Sequence, residues 1–478
     1  MKAVIFWTCM LLMLHTEGGA MNPAYRIEVT IAGFSGPKLY LGYYLGNKQY
    51  VLDTAEAIAA NTFVFSGAQP LKTGVYFVAL PPKNDFFQIL ITPQEQFFSI
   101  QTTQEKLQEG VKIEGSPENA LFYAQFRYLR KQQAKAEAIS EIIKQSETKK
   151  TSRNQAELKR QQLNTNVARA QKKWVQKNIG TYAATIIGAN LHPTPPLESF
   201  AKLDSLEKSH QLWMWTRQHY FDSLPLGDST LLRTPFLFEK VDYFIRTLTP
   251  QHPDSICWAI DTVLYQMSKA PETFQFYLVH FLNSFAASNF VGMDAVYVHL
   301  VEKYYNTGKA PWISADQLAK LSTNAKKLKP LLIGKIAPDI SLERKGQRTQ
   351  LHQIQSPYTV LFFWRYDCSH CTESLPAVKK FYEKYAAQGI TLVAICVKPT
   401  QEQPNCAKYL QENQMPEWFN ATDPSGKYFG LYNLETTPQV YILDQKKEIL
   451  SKQVPADQLE MVMDKIIEMS KRARSKTE

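Results

Sequence analysis

Thr359-Val-Leu-Phe-Phe-Trp364-Arg-Tyr-Asp-Cys368-Ser-His-Cys371-Thr-Glu-Ser-Leu375-Pro376 changes character in mid-stretch. Residues 359–363 form a continuous apolar and aromatic run, the pattern of a strand buried on both faces. After the second cysteine, Leu375, Val378, Phe381, Tyr382 and Tyr385 recur at helical spacing, so a helix follows. The two cysteines stand where strand gives way to helix.

Working outward, residues 340–342 carry a short strand signal and residues 390–396 a second buried strand. A helix near 405–412, the segment 423–432 and a strand at 439–443 come next. The last helix places Leu459, Val462, Met463, Ile466 and Ile467 on one face. This βαβ then ββα order predicts an α/β module with a mixed central sheet over 333–478.

The 332 residues upstream hold other architectures. Alternating runs such as Ile27, Val29 and Ile31 or Leu39, Leu41 and Tyr43, broken by Gly36-Pro37, Gly46-Asn47 and Pro81-Pro82, predict an antiparallel, sandwich-like β domain over 21–115. No catalytic constellation occurs in it, which points to a structural or adhesive role. From Ser116-Pro117-Glu118 the period turns helical, and an all-α domain is expected over 116–332. Its first two helices, at 117–147 and 153–188, read as a hairpin with Leu163, Val167, Ala170 and Trp174 along the seam.

Residues 127–177 contain 14 Lys or Arg against 4 Glu, a net of +10 that equals the excess of the whole chain. Such a face is an ordinary solvated helix surface, or a surface for an acidic or lipid partner. Nucleic acid is disfavoured by the lack of aromatics between Ala134 and Lys173 and by the export signal below. Aromatics such as Trp213, Trp215, Phe276, Tyr277 and Phe281 read as helical core, with Cys257 buried among them.

At 478 residues the chain suggests about three domains. Lys2, the apolar run from Ala3 to Leu14 and small residues through Ala20 read as a signal peptide over 1–20 rather than a spanning helix. The expected location is therefore the periplasm or cell envelope, where disulfides persist. Beyond that segment five cysteines remain, too few for a disulfide scaffold, and no metal site is implied because the Cys-x-x-Cys lacks a second pair at zinc spacing.

Disulfide exchange needs an accessible attacking thiolate and a second thiol within reach of the mixed disulfide. At a helix start, Cys368 gains from the unpaired N–H groups and the dipole, and Cys371 one turn on resolves. His370, when charged, favours the Cys368 thiolate, whereas Asp367 opposes it. Thr437-Pro438, just before a strand, is expected to be cis and to present the Thr437 backbone to an extended substrate.

Gly334-Lys-Ile-Ala-Pro338-Asp339, Val360 to Trp364, Cys368-Ser-His-Cys371, Pro376 and Thr437-Pro438 resemble the TlpA-like and ResA-like thiol–disulfide oxidoreductases of the thioredoxin superfamily. His219-Tyr-Phe-Asp222, Lys240-Val-Asp-Tyr-Phe244 and Pro250-Gln-His-Pro-Asp254 resemble the longer Bacteroidota members, which add β and helical domains of unassigned function. The resemblance implies a thioredoxin-like fold and an exported enzyme that reduces envelope protein disulfides. Cys368–Cys371 would serve as its redox-active disulfide without another cofactor, and an upstream donor would supply electrons. Ser374 stands where many members carry Glu, leaving Glu373 as the nearest acid. Asp367 replaces a frequent tryptophan, although Trp364 is retained.

The competing reading is a non-enzymatic envelope binding or scaffold protein built on the same fold. A peroxidase pattern is missing, since Leu361 and Arg365 occupy the positions where it requires Pro and Thr. Cys396 reads as core, and Cys406 either pairs with it or stands free.

Overall fold

In a computed structural model the described residues are 23–146, 150–191, 193–399, 401–415, 418–423 and 425–474. The expected signal peptide lies outside them. No helix among them is long and apolar enough to cross a membrane. The chain divides into two compact units between Phe244 and Ile245, a boundary inside the stretch expected as one helical domain.

The first unit opens with β1 (Tyr25–Ala32), β2 (Lys38–Leu45), β3 (Lys48–Ala59), β4 (Thr62–Gly67), β5 (Gly74–Leu80), β6 (Asp85–Ile91), β7 (Phe97–Thr103) and β8 (Lys112–Glu114). Their hydrogen-bonded order is β6-β5-β2-β3-β4-β1-β7-β8, and β1 runs parallel to β7 while the other pairs are antiparallel. The alternation read in the sequence is real: Ile27, Val29 and Ile31 are each 0% exposed.

Helix α1 (Pro117–Gln145) starts at the Ser116 cap and is docked by Asn119, which bonds both the N–H and the carbonyl of Leu90 on β6 at 2.7 Å. Helix α2 (Lys150–Lys177) returns along it. The expected helix 153–188 is broken: α3 (Tyr182–Ala189) starts anew after Gly180 at φ 92°, with Thr181 as its N-cap accepting the Ala184 N–H, while Glu118 accepts the N–H groups of Tyr182 and Ala183 at 3.0 and 2.7 Å. Helices α4 (Ser205–His219) and α5 (Leu237–Tyr243) complete this unit.

The second unit contains α6 (Pro253–Met267), α7 (Pro271–Ala286), α8 (Asp294–Leu300) and α9 (Ala315–Leu328), followed by the α/β module. That module begins with the hairpin β9 (Ser341–Arg344) and β10 (Gln347–Gln350), turning through Lys345 and Gly346 at φ 49° and 77°. Then come β11 (Tyr358–Trp364), α10 (Ser369–Tyr385), β12 (Ile390–Cys396), α11 (Gln403–Glu412), β13 (Phe419–Ala421), α12 (Tyr428–Leu431), β14 (Gln439–Asp444), β15 (Ile449–Lys452) and α13 (Leu459–Arg474). The sheet order is β13-β12-β11-β14-β15, with β11, β12 and β13 parallel, β14 antiparallel to β11, and β15 antiparallel to β14.

β11 is central and covered on both faces, which explains its unbroken apolar run. Val360, Phe362 and Trp364 join one core, and Leu361 and Phe363 the other. Helices of the second unit are tied to the module through Lys452: its buried ammonium pairs with Asp294 of α8 and donates to the Leu331 carbonyl at 2.6 Å.

Candidate functional site

Strand β11 carries the chain to Trp364, a few residues short of the turn that starts α10. Cys368 is the N-cap: its Sγ accepts the Cys371 N–H at 3.4 Å, and its carbonyl accepts the N–H groups of Cys371 and Thr372 at 3.0 Å. Cys368 is half-buried and Cys371 is 0% exposed, packed on the core face that also holds Trp364 and Leu375. Both are free thiols. The Cys368 thiol donates to the Thr437 carbonyl at 3.4 Å, and the Thr437–Pro438 peptide is cis, as expected.

The two thiols diverge in acidity. Burial opposes ionisation of Cys368, but hydrogen bonds from the Cys371 thiol and N–H and from the Thr437 side chain, with the positive charge of Arg365, hold its pKa below the ordinary thiol value. Burial, and then the hydrogen bond with Cys368, push Cys371 up to about 12. One sulfur is thus prepared to be a thiolate while its neighbour keeps its proton.

The residues expected to support the pair divide. Trp364 is a core residue beneath the cysteines, with its ring 6.1 Å from that of Tyr409. His370 and Glu373 are exposed and line a groove of about 550 Å³ with Ser374, Pro438, Gln453 and Asp457. Glu373 therefore lies on the solvent side of α10, whereas Cys371 faces the core. Asp367, expected to oppose the Cys368 thiolate, is itself paired: Lys398 bonds its carboxylate at 2.9 Å and Arg365 approaches to 3.6 Å. The Lys398 hydrogen bond holds the Asp367 carboxyl below its usual range.

Sequence reasoning missed Lys398 and the role of Arg365. Lys398 and Glu402, four apart between β12 and α11, pair at 2.7 Å, but neither is helical, so their spacing carried no signal. Cys396 is core, as expected, and also forms a disulfide with Cys406, closing the alternative left open. Cys257 is half-buried on α6 rather than fully buried, and burial, with Asp261 and Asp254 nearby, pushes its thiol up to about 12.

The AhpC/TSA family description matches residues 333–452, and two domains of unknown function, DUF4369 and DUF5106, match 25–122 and 204–329. A thiol–disulfide oxidoreductase ResA of Bacillus cereus is 24% identical over 138 residues, 28% of this chain and 78% of the relative. The thioredoxin-like protein YneN of Bacillus subtilis is 26% identical over 125 residues, 26% of this chain and 72% of the relative. Among solved structures, a thioredoxin-like protein from Bacteroides caccae aligns over 57% of this chain and 96% of its own, at 18% identity and a TM-score of 0.42. A domain of a possible thiol-disulfide isomerase from Cytophaga hutchinsonii aligns over 30% and 98%, at 28% identity and a TM-score of 0.28. The sheet order and the helix after β11 give the C-terminal module a thioredoxin-like fold, and its residues 333–452 match the AhpC/TSA family, with thiol–disulfide oxidoreductases among its relatives.

Proposed function

We propose that the protein is an exported reductase of disulfides in envelope proteins, acting through Cys368 and Cys371. The observation that carries this reading is the asymmetry of the pair: an accessible, acidified thiol at a helix start beside a buried, protonated one. Export rests on the pattern of residues 1–20.

The Cys368 thiolate attacks one sulfur of a substrate disulfide, forming a mixed disulfide and releasing the other substrate sulfur as a thiolate that takes up a proton. Cys371, on losing its proton, attacks the Cys368 sulfur. The second substrate thiol leaves, and the enzyme retains a Cys368–Cys371 disulfide. Two electrons have passed to the substrate, and an upstream dithiol returns them. The Thr437 backbone and the groove beside Pro438 are the surface against which an extended substrate segment lies.

Insulin reduction driven by a chemical dithiol tests the reading. Cys368→Ser abolishes turnover, and Cys371→Ser accumulates mixed disulfides on Cys368. Full turnover in Cys368→Ser removes the assignment.

A further inference from the structure

Cys396 and Cys406, ten positions apart, are joined by a disulfide, and the described residues between them include those that pack against the residues leading into Cys368. Val397 donates to the Trp364 carbonyl at 2.9 Å. Lys398 lies over the Tyr366 ring at 5.3 Å and bridges Asp367 and Glu402 at 2.9 and 2.7 Å. Glu402 and Asn405 in turn bond the Tyr366 hydroxyl, both at 3.2 Å, and Gln403 bonds the Lys398 carbonyl at 3.0 Å. Lys398 is the least exposed charge in this set, with a side chain 12% exposed, so its position is fixed by packing as well as by charge.

We propose that Lys398, anchored by the loop that the Cys396–Cys406 disulfide closes, is a positioning residue for Cys368: it holds and neutralises the carboxylate of Asp367, the residue immediately before the attacking sulfur. The proposal deepens the reductase reading and rests on its choice of Cys368 as attacking thiol. Its logic is electrostatic. An unpaired carboxylate adjoining a thiolate disfavours that thiolate, and a paired one does so far less. The charged or titratable groups around Cys368 are Arg365, Tyr366 and Asp367 before α10, His370, Cys371 and Glu373 on α10, Lys398 and Glu402 from the β12–α11 segment, and Asp457 across the groove. The segment before β14 contributes the uncharged Thr437, with Glu435 two residues upstream of it. Among these, Asp367 is the acid next in sequence to the sulfur, and Lys398 is its hydrogen-bonded partner.

The test is the pH dependence of iodoacetamide labelling at Cys368 in the full chain, read by mass on the Cys368 peptide, with urea unfolding as a check on folding. Lys398→Met raises the labelling midpoint by about one pH unit, equal to about tenfold slower labelling at neutral pH. Lys398→Arg keeps the wild-type midpoint. Adding Asp367→Asn to Lys398→Met restores it, which a merely loosened loop would not do. The pair Cys396→Ala and Cys406→Ala shifts the midpoint in the same direction, and Lys398→Met adds little to that shift. A wild-type midpoint in Lys398→Met, or failure of Asp367→Asn to restore it, overturns the proposal. These midpoints are read without substrate, so they fail or hold independently of insulin turnover in Cys368→Ser.

Discussion

Cys368 and Cys371 lie within one helical turn but in different media. The first meets solvent and the free N–H groups of α10, and the second meets the core beneath Trp364. The pKa directions follow, and they fix a pH dependence. Cys368 is largely thiolate above its lowered pKa and loses reactivity as pH falls through it, whereas Cys371 stays protonated until about 12. Iodoacetamide at pH 8 should therefore label Cys368 and spare Cys371 in the native protein, and both equally in urea; equal native labelling would defeat this account. The pair and Thr437-Pro438 were legible in the sequence because short spacings encode them. Lys398 was not, since its partner Asp367 is 31 residues away and only the β11–β12 pairing brings them together.

At the scale of elements, β11 is buried from Thr359 to Trp364, and α10 lays Cys371, Leu375, Val378, Phe381 and Tyr385 on that core. Phe381 on α10 is 0% exposed, so Phe381→Ala should cost about 3–5 kcal/mol of stability by urea unfolding, through lost burial and the cavity left behind. In the first unit, Asn119→Ala strips the bonds to both Leu90 backbone groups, and each buried group left unpaired costs about 1–3 kcal/mol. Hydrophobic period located these elements well. It ran through the break before α3, whose local cue is Gly180-Thr181, a left-handed glycine and the N-cap, and whose second cap, Glu118, stands 64 and 65 residues earlier. It also missed β10, a short and largely exposed strand with no apolar alternation, whose nearest cue was the Lys345-Gly346 turn.

At the scale of the molecule, the joint between helices and redox module in the second unit is polar. Lys452 is 4% exposed and is held by Asp294 and the Leu331 carbonyl. Asp294→Ala leaves that ammonium buried without its counter-charge and should cost about 3–5 kcal/mol in chemical denaturation. Replacing both partners, Asp294→Leu with Lys452→Met, should recover most of that loss, because an apolar pair requires no compensation. The family match begins at residue 333, and the sequence reading draws its own boundary there. An expression fragment cut at that boundary would keep both cysteines and the whole sheet, yet uncover Lys452 and lose Asp294 and Leu331, the residues it bonds. A clone made for structural or kinetic work that is meant to keep this joint should therefore begin upstream of Asp294.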